Sequence, residues 1–344
     1  MNQIKICCLH SRIHNVSDMV RYLGIENIES VPRLTWNEEC PDIVIATEHI
    51  YRYPKYFKKF KKIYKRNKEA LYIFQAGEAV EPDLNIFDYS IVFSCTHKDQ
   101  DRIIRIPPSY FCRSSLPEQY NTFTYEDALS KIRNGGIGFC NFIYSNPNAH
   151  PYRDSLFYLL SKYKTVSSLG GHLNNTQQKS TRNSNNWAQL SIEMKSKYKF
   201  SIACENEIFN GYTSEKILTS FQAHSIPIYW GNPFIEQEFN PEAFLNCHNY
   251  QEDELLEKII QIDQDDELAA KMLAAPWQTE KQFEETRLAI NDYHQLMNGV
   301  FLNPQIRRPV GTFADMYIKW FFRDNSSRNY LSSVINKIIK RNLK

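Results

Sequence analysis

The chain has 344 residues, and 41 Lys/Arg against 39 Asp/Glu leave a formal net charge of +2. That length suits two domains, and a 42% apolar share is enough for sizeable cores, which excludes wholesale disorder. Near-neutrality speaks against a dedicated nucleic-acid binder, which would be strongly basic.

The charge is uneven. Residues 52–68 carry nine Lys/Arg and no acid, and the last fourteen residues carry Lys337, Lys340, Arg341 and Lys344, again with no acid. The eight cysteines show no two-residue spacing of a zinc knuckle or redox dithiol and lie mostly in apolar runs. They read as small buried hydrophobes in a reduced compartment. No stretch approaches the ~18 apolar residues of a membrane helix. The chain starts on a strand pattern without a signal-peptide core. We therefore expect a cytoplasmic protein, soluble or peripheral at the inner face of the inner membrane.

In chain order, Ile4–Leu9, Asp42–Ala46, Ala70–Phe74, Ser90–Ser94 and Arg102–Ile106 read as strands, with a helix over Tyr53–Lys68. In that helix Tyr53, Phe57, Phe60 and Tyr64 fall on one stripe between the lysines. The stripe reads more simply as a core face than as a stacking platform for single-stranded nucleic acid. The polar stretch Ser114–Gly136, with Arg133-Asn-Gly-Gly136, reads as a linker.

A second series follows: strands at Ile137–Tyr144, Lys164–Ser168, Tyr198–Ala203 and Ser225–Trp230, helices at about 152–162, 187–196 and 214–223. After 251 the chain turns helical at 251–262, 266–274 and about 279–299. Alternating strands and helices imply an α/β fold of two parallel-sheet domains, with a cleft between them as the natural ligand site. We place the domains at 1–136 and 137–310, with a C-terminal segment at 311–344. In its tail Leu331, Val334, Ile335, Ile338 and Ile339 recur at helical spacing between Lys and Arg. That pattern suits an anionic membrane surface or a partner groove.

Chemistry concentrates at residues 198–233. A buried strand ends at Cys204, and Glu205 and Asn206 follow at its carboxyl end, where open α/β sheets place ligands. Asn210-Gly211 leads to a helix that Thr213 or Ser214 can cap. Glu215 and Lys216 then fall in the first turn, beside free N–H groups and the positive dipole end. This is either a phosphate site or a plain capped helix.

A second strand ends in Ser145-Asn146, and Arg153 lies in the first turn of the next helix, where it opposes the dipole and needs an anionic partner. Without one it is a surface arginine paired with Asp154. Glu78, after a Gly at another strand end, is a natural general base, but Glu81, Asp83 and Asp88 are not separable from it by sequence. Asp99-Gln-Asp101 and Asp263-Gln-Asp265 read as solvated loop acids rather than metal ligands. His97, His150, His172, His224 and His248 show no ligand spacing. Gly170-Gly171 is a turn before it is a phosphate loop.

The run Phe200…Cys204-Glu-Asn…Gly-Tyr212-Thr-Ser-Glu-Lys216…Ile-Pro-Ile-Tyr-Trp-Gly231 resembles the signature of the α1,3/4-fucosyltransferases, glycosyltransferase family 10. It is most similar to the bacterial branch that makes Lewis-type sugars on lipopolysaccharide. Gln75-Ala-Gly-Glu78…Asn85-Ile-Phe-Asp-Tyr89, Ser145-Asn146…Arg153 and Glu238-Phe-Asn-Pro-Glu-Ala-Phe244 agree, so the likeness covers roughly 70–280.

The resemblance implies a GT-B fold with an N-terminal acceptor domain and a C-terminal donor domain. It implies metal-independent, inverting transfer of L-fucose from GDP-β-L-fucose to a GlcNAc hydroxyl, O3 above all, of an N-acetyllactosamine-type glycan. It assigns Glu78 as base, and Arg153, Asn206, Tyr212, Glu215 and Lys216 to the nucleotide sugar. The strand-end residues Asn146 and Glu205 complete the expected donor set. No cofactor or metal is implied. Two departures stand out. Asn174 occupies a position where bacterial relatives can have Arg, with Arg182 or Lys179 as substitutes, and heptad repeats before the basic tail are absent. The competing readings are a metal-dependent glycosyltransferase for another nucleotide sugar and a non-catalytic glycan- or membrane-binding protein.

Overall fold

The structure, a computed structural model, describes residues 3–25, 33–93, 101–106, 123–177 and 186–322. Cys95, His97, Asp99, Cys112, Lys179, Arg182 and the tail 331–344 lie outside these residues.

The chain divides into two units. The first contains the described residues up to 92, 101–104 and 293–322. Its sheet has six strands: β1 (Ile4–Leu9), β2 (Leu34–Trp36), β3 (Ile43–Thr47), β4 (Leu71–Gln75), β5 (Tyr89–Val92) and β6 (Ile103–Arg105), in the order β2-β1-β3-β4-β5-β6. The pairings of β1 with β2 and β3, of β3 with β4 and of β4 with β5 are parallel. β3 and β4 are buried along their whole length, which is why they read as continuous apolar runs rather than as alternations. The helix Pro54–Arg66 begins with Pro at its first position, where no N–H is needed. Phe57, Phe60 and Tyr64 of the stripe are buried as expected, whereas Tyr53 caps the helix and stays 38% exposed.

The second unit contains 93, 105–106, 123–177 and 186–292. It carries β7 (Gly138–Phe142), β8 (Val166–Ser168), β9 (Tyr198–Cys204), β10 (Ile226–Trp230) and β11 (Leu245–Asn246), in the order β11-β10-β9-β7-β8, all paired parallel. The helices Tyr152–Ser161, Trp187–Lys195 and Glu215–Gln222 fall where the sequence places them.

The boundaries differ from those read in the sequence. Within 114–136 the described part is not a linker. Thr124 and Asp127 form a reciprocal capping box for the helix Tyr125–Asn134. This helix packs in the second unit, where Lys131 donates to the carbonyls of Ala223 and His224. At the other end, 293–322 belongs to the first unit. Tyr293 donates its hydroxyl to the Leu23 carbonyl at 2.7 Å, and Arg308 pairs with Asp88. Both tethers join residues more than 200 apart in sequence, which local patterning does not reveal.

The cysteines largely follow expectation: Cys7, Cys8, Cys140, Cys204 and Cys247 are buried free thiols, while Cys40 is exposed. Asp263 does not follow it. It is buried in the helix Glu252–Gln264, taking Lys164 at 2.5 Å and Tyr163 at 3.0 Å, with Lys199 at 3.4 Å. Its neighbour Asp265 caps the next helix. Both acids thus have structural roles.

Candidate functional site

β9 delivers Glu205 to its carboxyl end with no exposed surface. The backbone N–H of Glu205 donates to the Trp230 carbonyl at 2.7 Å, which fixes the turn against β10. The carboxylate lies under the N-terminus of the helix Glu215–Gln222. One oxygen accepts the Ser214 N–H at 2.7 Å; the other accepts the Ser214 hydroxyl at 2.7 Å and the Lys216 ammonium at 2.9 Å. Ser214 is the N-cap residue, but its hydroxyl caps no N–H of the helix and bridges Glu205 and Lys216 instead. The expected cap chemistry is therefore displaced: Glu205, ten residues before the helix, holds the Ser214 N–H.

Glu205 is wholly spent on protein partners, so its part is to position Lys216. Lys216 is not a loose charge. Its side chain is 16% exposed and fixed by Glu205 and Ser214. Glu215 is 35% exposed, with an oxygen 3.9 Å from the Lys216 ammonium. Burial opposes ionisation of Glu215, but Lys216, the backbone N–H and Lys195 outweigh it, and the carboxyl sits below its usual range. Opposed charges held at a helix N-terminus suit a ligand with an anionic group and several hydroxyls.

The loop 209–214 is pinned from three further directions. Asn232, just after β10, accepts the Gly211 N–H at 2.8 Å and donates to Thr213 at 3.1 Å. Arg105 donates to the Gly211 carbonyl at 3.1 Å and pairs with Glu238. Gly211 sits at φ +83°, a conformation that favours glycine. Tyr212 is 3% exposed and meets Phe93 edge-on at 5.3 Å. At Gly231, φ is +150° and an added Cβ would come within 2.6 Å of the Glu205 side chain, so only glycine lets β10 pass the buried acid.

Arg153 is not a surface residue. It is 1% exposed, with its guanidinium 4.4 Å over the Tyr144 ring. One nitrogen donates to the Asn146 carbonyl and another to the Asn206 side-chain oxygen at 3.4 Å. The structure thus gathers Asn146, Arg153 and Asn206 into one cluster. Asn146 contributes through its backbone, because its side chain closes a turn onto Asn148. Tyr144 ties the cluster to β9, accepting the Cys204 N–H at 2.7 Å. His172 pairs with Asp154 at 2.9 Å beside it. Gly170 is required by close approach, since a Cβ there would lie 2.0 Å from the Tyr144 carbonyl. Asn174 folds back onto the Gly170 carbonyl at 2.7 Å.

One buried cation was not singled out from the sequence. Lys195 ends the helix Trp187–Lys195 at 4% exposure. It donates to the Lys216 carbonyl at 3.0 Å, the Thr219 hydroxyl at 2.7 Å and the Ser220 hydroxyl at 3.0 Å. Burial pushes its ammonium down to about 7. Asn232 and Arg105 were missed as well. Asn232 has only its place inside the run 198–233 as a signal, and nothing in spacing links Arg105 to Gly211.

In the first unit, Glu78 follows β4 and Gly77, half-buried. Of its alternatives, Asp88 is excluded as a base. It has no exposed surface and is taken up by the Tyr72 N–H at 2.7 Å and by Arg308. Asp83 accepts the Tyr317 hydroxyl at 2.6 Å.

Residues 138–297 match the model of the C-terminal region of glycosyltransferase family 10 (fucosyltransferase). The chain is 31% identical over 208 residues to an α-(1,3)-fucosyltransferase of Helicobacter pylori, covering 52% of this chain and 41% of that protein. It is 31% identical over 216 residues to a putative fucosyltransferase of Acanthamoeba polyphaga mimivirus, covering 61% and 35%. It therefore spans less than half the length of these curated relatives. A crystal structure of an α1,3-fucosyltransferase superimposes with a TM-score of 0.67 at 23% identity, covering 89% of this chain and 92% of that one. A crystal structure of an α1,3-fucosyltransferase with GDP-fucose superimposes with a TM-score of 0.63 at 23% identity, covering 90% of this chain and 93% of that one. These likenesses establish two parallel-sheet α/β domains of the GT-B fold, as expected.

Proposed function

We propose that this chain, whose residues 138–297 match the model of the C-terminal region of glycosyltransferase family 10 (fucosyltransferase), is an α1,3-fucosyltransferase. It transfers L-fucose from GDP-β-L-fucose, with inversion, to a GlcNAc hydroxyl of an N-acetyllactosamine-type glycan. The observation that carries this reading is the Glu205–Ser214–Lys216 array at the N-terminus of the helix Glu215–Gln222, inside the matched region.

Lys216 and the helix N-terminus take the diphosphate, and Arg153 adds a second fixed cation whose geometry Tyr144, Asn146 and Asn206 set. They stabilise the negative charge that builds on GDP as the bond from fucose C1 to the phosphate oxygen breaks. Glu215 favours the positive charge developing on the sugar ring. Glu78 takes the proton as the acceptor hydroxyl forms its bond to C1. Fixed cations supply the leaving-group stabilisation here, so the reading requires no divalent metal. Lewis-type structures on lipopolysaccharide are the products this reading favours. The tail 331–344 is proposed to hold the chain on an anionic membrane at the cytoplasmic face.

The experiment is a transfer assay with GDP-fucose and N-acetyllactosamine in excess EDTA, read by mass spectrometry. One fucose added to the disaccharide, with GDP released, is expected. No product with GDP-fucose, or product only with another nucleotide sugar or with added metal, overturns the proposal.

A further inference from the structure

Strand order in the first sheet sets three loop starts side by side: His10 after β1, Glu48 and His49 after β3, and Gly77 and Glu78 after β4. This carboxyl rim is where parallel sheets take ligands. Glu48 and His49 are each 8% exposed, and one ligand atom each from His10, Glu48 and His49 lies within 4.8 Å of the other two. The imidazoles stack at 4.2 Å.

Two His and a Glu invite a cation, but the hydrogen bonds point elsewhere. Nδ1 of His49 accepts the Ser11 N–H at 3.0 Å, and Nδ1 of His10 accepts the Arg12 N–H at 3.1 Å. A ring nitrogen that accepts carries no proton, so in each neutral ring the proton sits on Nε2. A metal-ligating histidine normally donates from its other ring nitrogen, and here that nitrogen is already an acceptor. Burial, reinforced by His49 and Arg12, pushes His10 down to about 4, and burial with Arg52, Arg12 and Lys55 lowers His49, so both rings stay neutral.

Glu48 faces them with one oxygen accepting the Gly77 N–H at 2.9 Å and the other 3.7 Å from His49 Nε2. Among the described residues no hydrogen bond joins the three side chains. The His49 Nε2–H and the Glu48 carboxylate thus face each other without a hydrogen bond, and a ring nitrogen of His10 lies within 4.8 Å of both groups. Around them stand Tyr22 at 5.0 Å from His10, and Tyr53 and Tyr56 at 5.1 and 5.7 Å from His49. Donors, a carboxylate and aromatic faces are the chemistry of a sugar ring. Each hydroxyl both accepts and donates, and the ring's C–H face packs on an aromatic.

We propose that His10, Glu48 and His49 form a pyranose subsite of the acceptor glycan, with the two Nε2–H groups and the Glu48 carboxylate holding its hydroxyls and Tyr53 against its apolar face. The subsite rests on the fucosyl-transfer reading for the identity of the glycan. The Glu48–Gly77 bond also fixes the loop bearing Glu78, which ties the glycan to the proposed base.

The test is binding of N-acetyllactosamine to the full chain, without donor and in EDTA, followed by saturation-transfer NMR. A parallel titration with GDP serves as the control for folding. His10→Ala should weaken glycan binding about fivefold, the loss of one neutral hydrogen bond, and His10→Gln should recover part of it by restoring an N–H. GDP binding should not move. Unchanged glycan affinity in His10→Ala overturns the subsite. So does glycan binding that appears only when zinc is added back. Because no donor is present, a failed transfer assay alongside His10-dependent glycan binding would overturn the fucosyl-transfer reading and leave the subsite standing.

Discussion

Two buried acid–base pairs, one in each unit, show how the same chemistry serves different ends. Asp88–Arg308 in the first unit is closed: the acid side chain is 0% and the arginine side chain 4% exposed. The guanidinium also donates to the carbonyls of Ala70 and Lys68 and lies 4.9 Å over the Tyr72 ring. Asp88 in turn accepts the N–H groups of Tyr72, Arg307 and Arg308. Nothing in this pair is left for a ligand, and its work is to clamp 307–308 onto the sheet. Glu205–Lys216 in the second unit has an acid just as buried, but its ammonium opens to 16% at a helix N-terminus. A closed pair holds structure together. A pair open on its cationic side leaves a charge within reach of a ligand.

Breaking the reaction itself should give the largest effect. Glu78→Gln is expected to lower transfer by about 10²-fold or more while GDP affinity holds, if Glu78 is the general base. Single-turnover assays beside calorimetric GDP titrations check it, and retained transfer sinks the role.

The next test turns the comparison on stability. Arg308→Met leaves Asp88 buried without its cation and should cost about 3–5 kcal/mol. Denaturant unfolding measures this, and GDP binding by whatever folds should match the wild type. If it loses GDP affinity instead, the closed pair is not merely structural.

Lys216→Ala should differ by adding a loss of ligand binding to the cost of leaving Glu205 without its cation. GDP affinity is expected to fall by about 1.5–3 kcal/mol, the range for a hydrogen bond to a charged group. Glu205→Gln should give a smaller loss of GDP affinity, because it frees Lys216 without removing it.

The smallest effect is a pH signature. Lys195 is pushed down to about 7 by burial, while an unfolded lysine titrates near 10.4. Above pH 7 the unfolded chain therefore binds more protons than the folded one, and stability rises with pH through this window. Below pH 7 the charged, buried ammonium removes that gain. Wild type should gain thermal stability from pH 6 to 8 relative to Lys195→Met, whose profile lacks this rise. Parallel profiles would contradict the assignment.

Strands β1, β3, β4, β9 and β10 and the central helices were legible because their apolar runs are continuous or periodic, which a fully buried parallel sheet requires. Glu205, Tyr212, Glu215 and Lys216 were legible because they crowd one strand–loop–helix. The burial of Arg153 was not, because the Tyr144 face and Asn206 that shelter it come from other segments. Arg105 escaped for the same reason, and Asn232 and Lys195 because their contacts with the loop 209–214 and the following helix follow no helical or strand spacing. The return of 293–322 to the first unit rests on Tyr293–Leu23 and Arg308–Asp88, pairings that no local pattern encodes.

The central claim is that Lys216, fixed by Glu205, receives the donor's diphosphate without a metal. Calorimetric titration of wild type and Lys216→Ala with GDP-fucose in excess EDTA tests it most directly. Saturable binding by wild type that weakens at least tenfold in the variant is the expected result. Equal binding by both, or binding by wild type only after a divalent cation is restored, would contradict it.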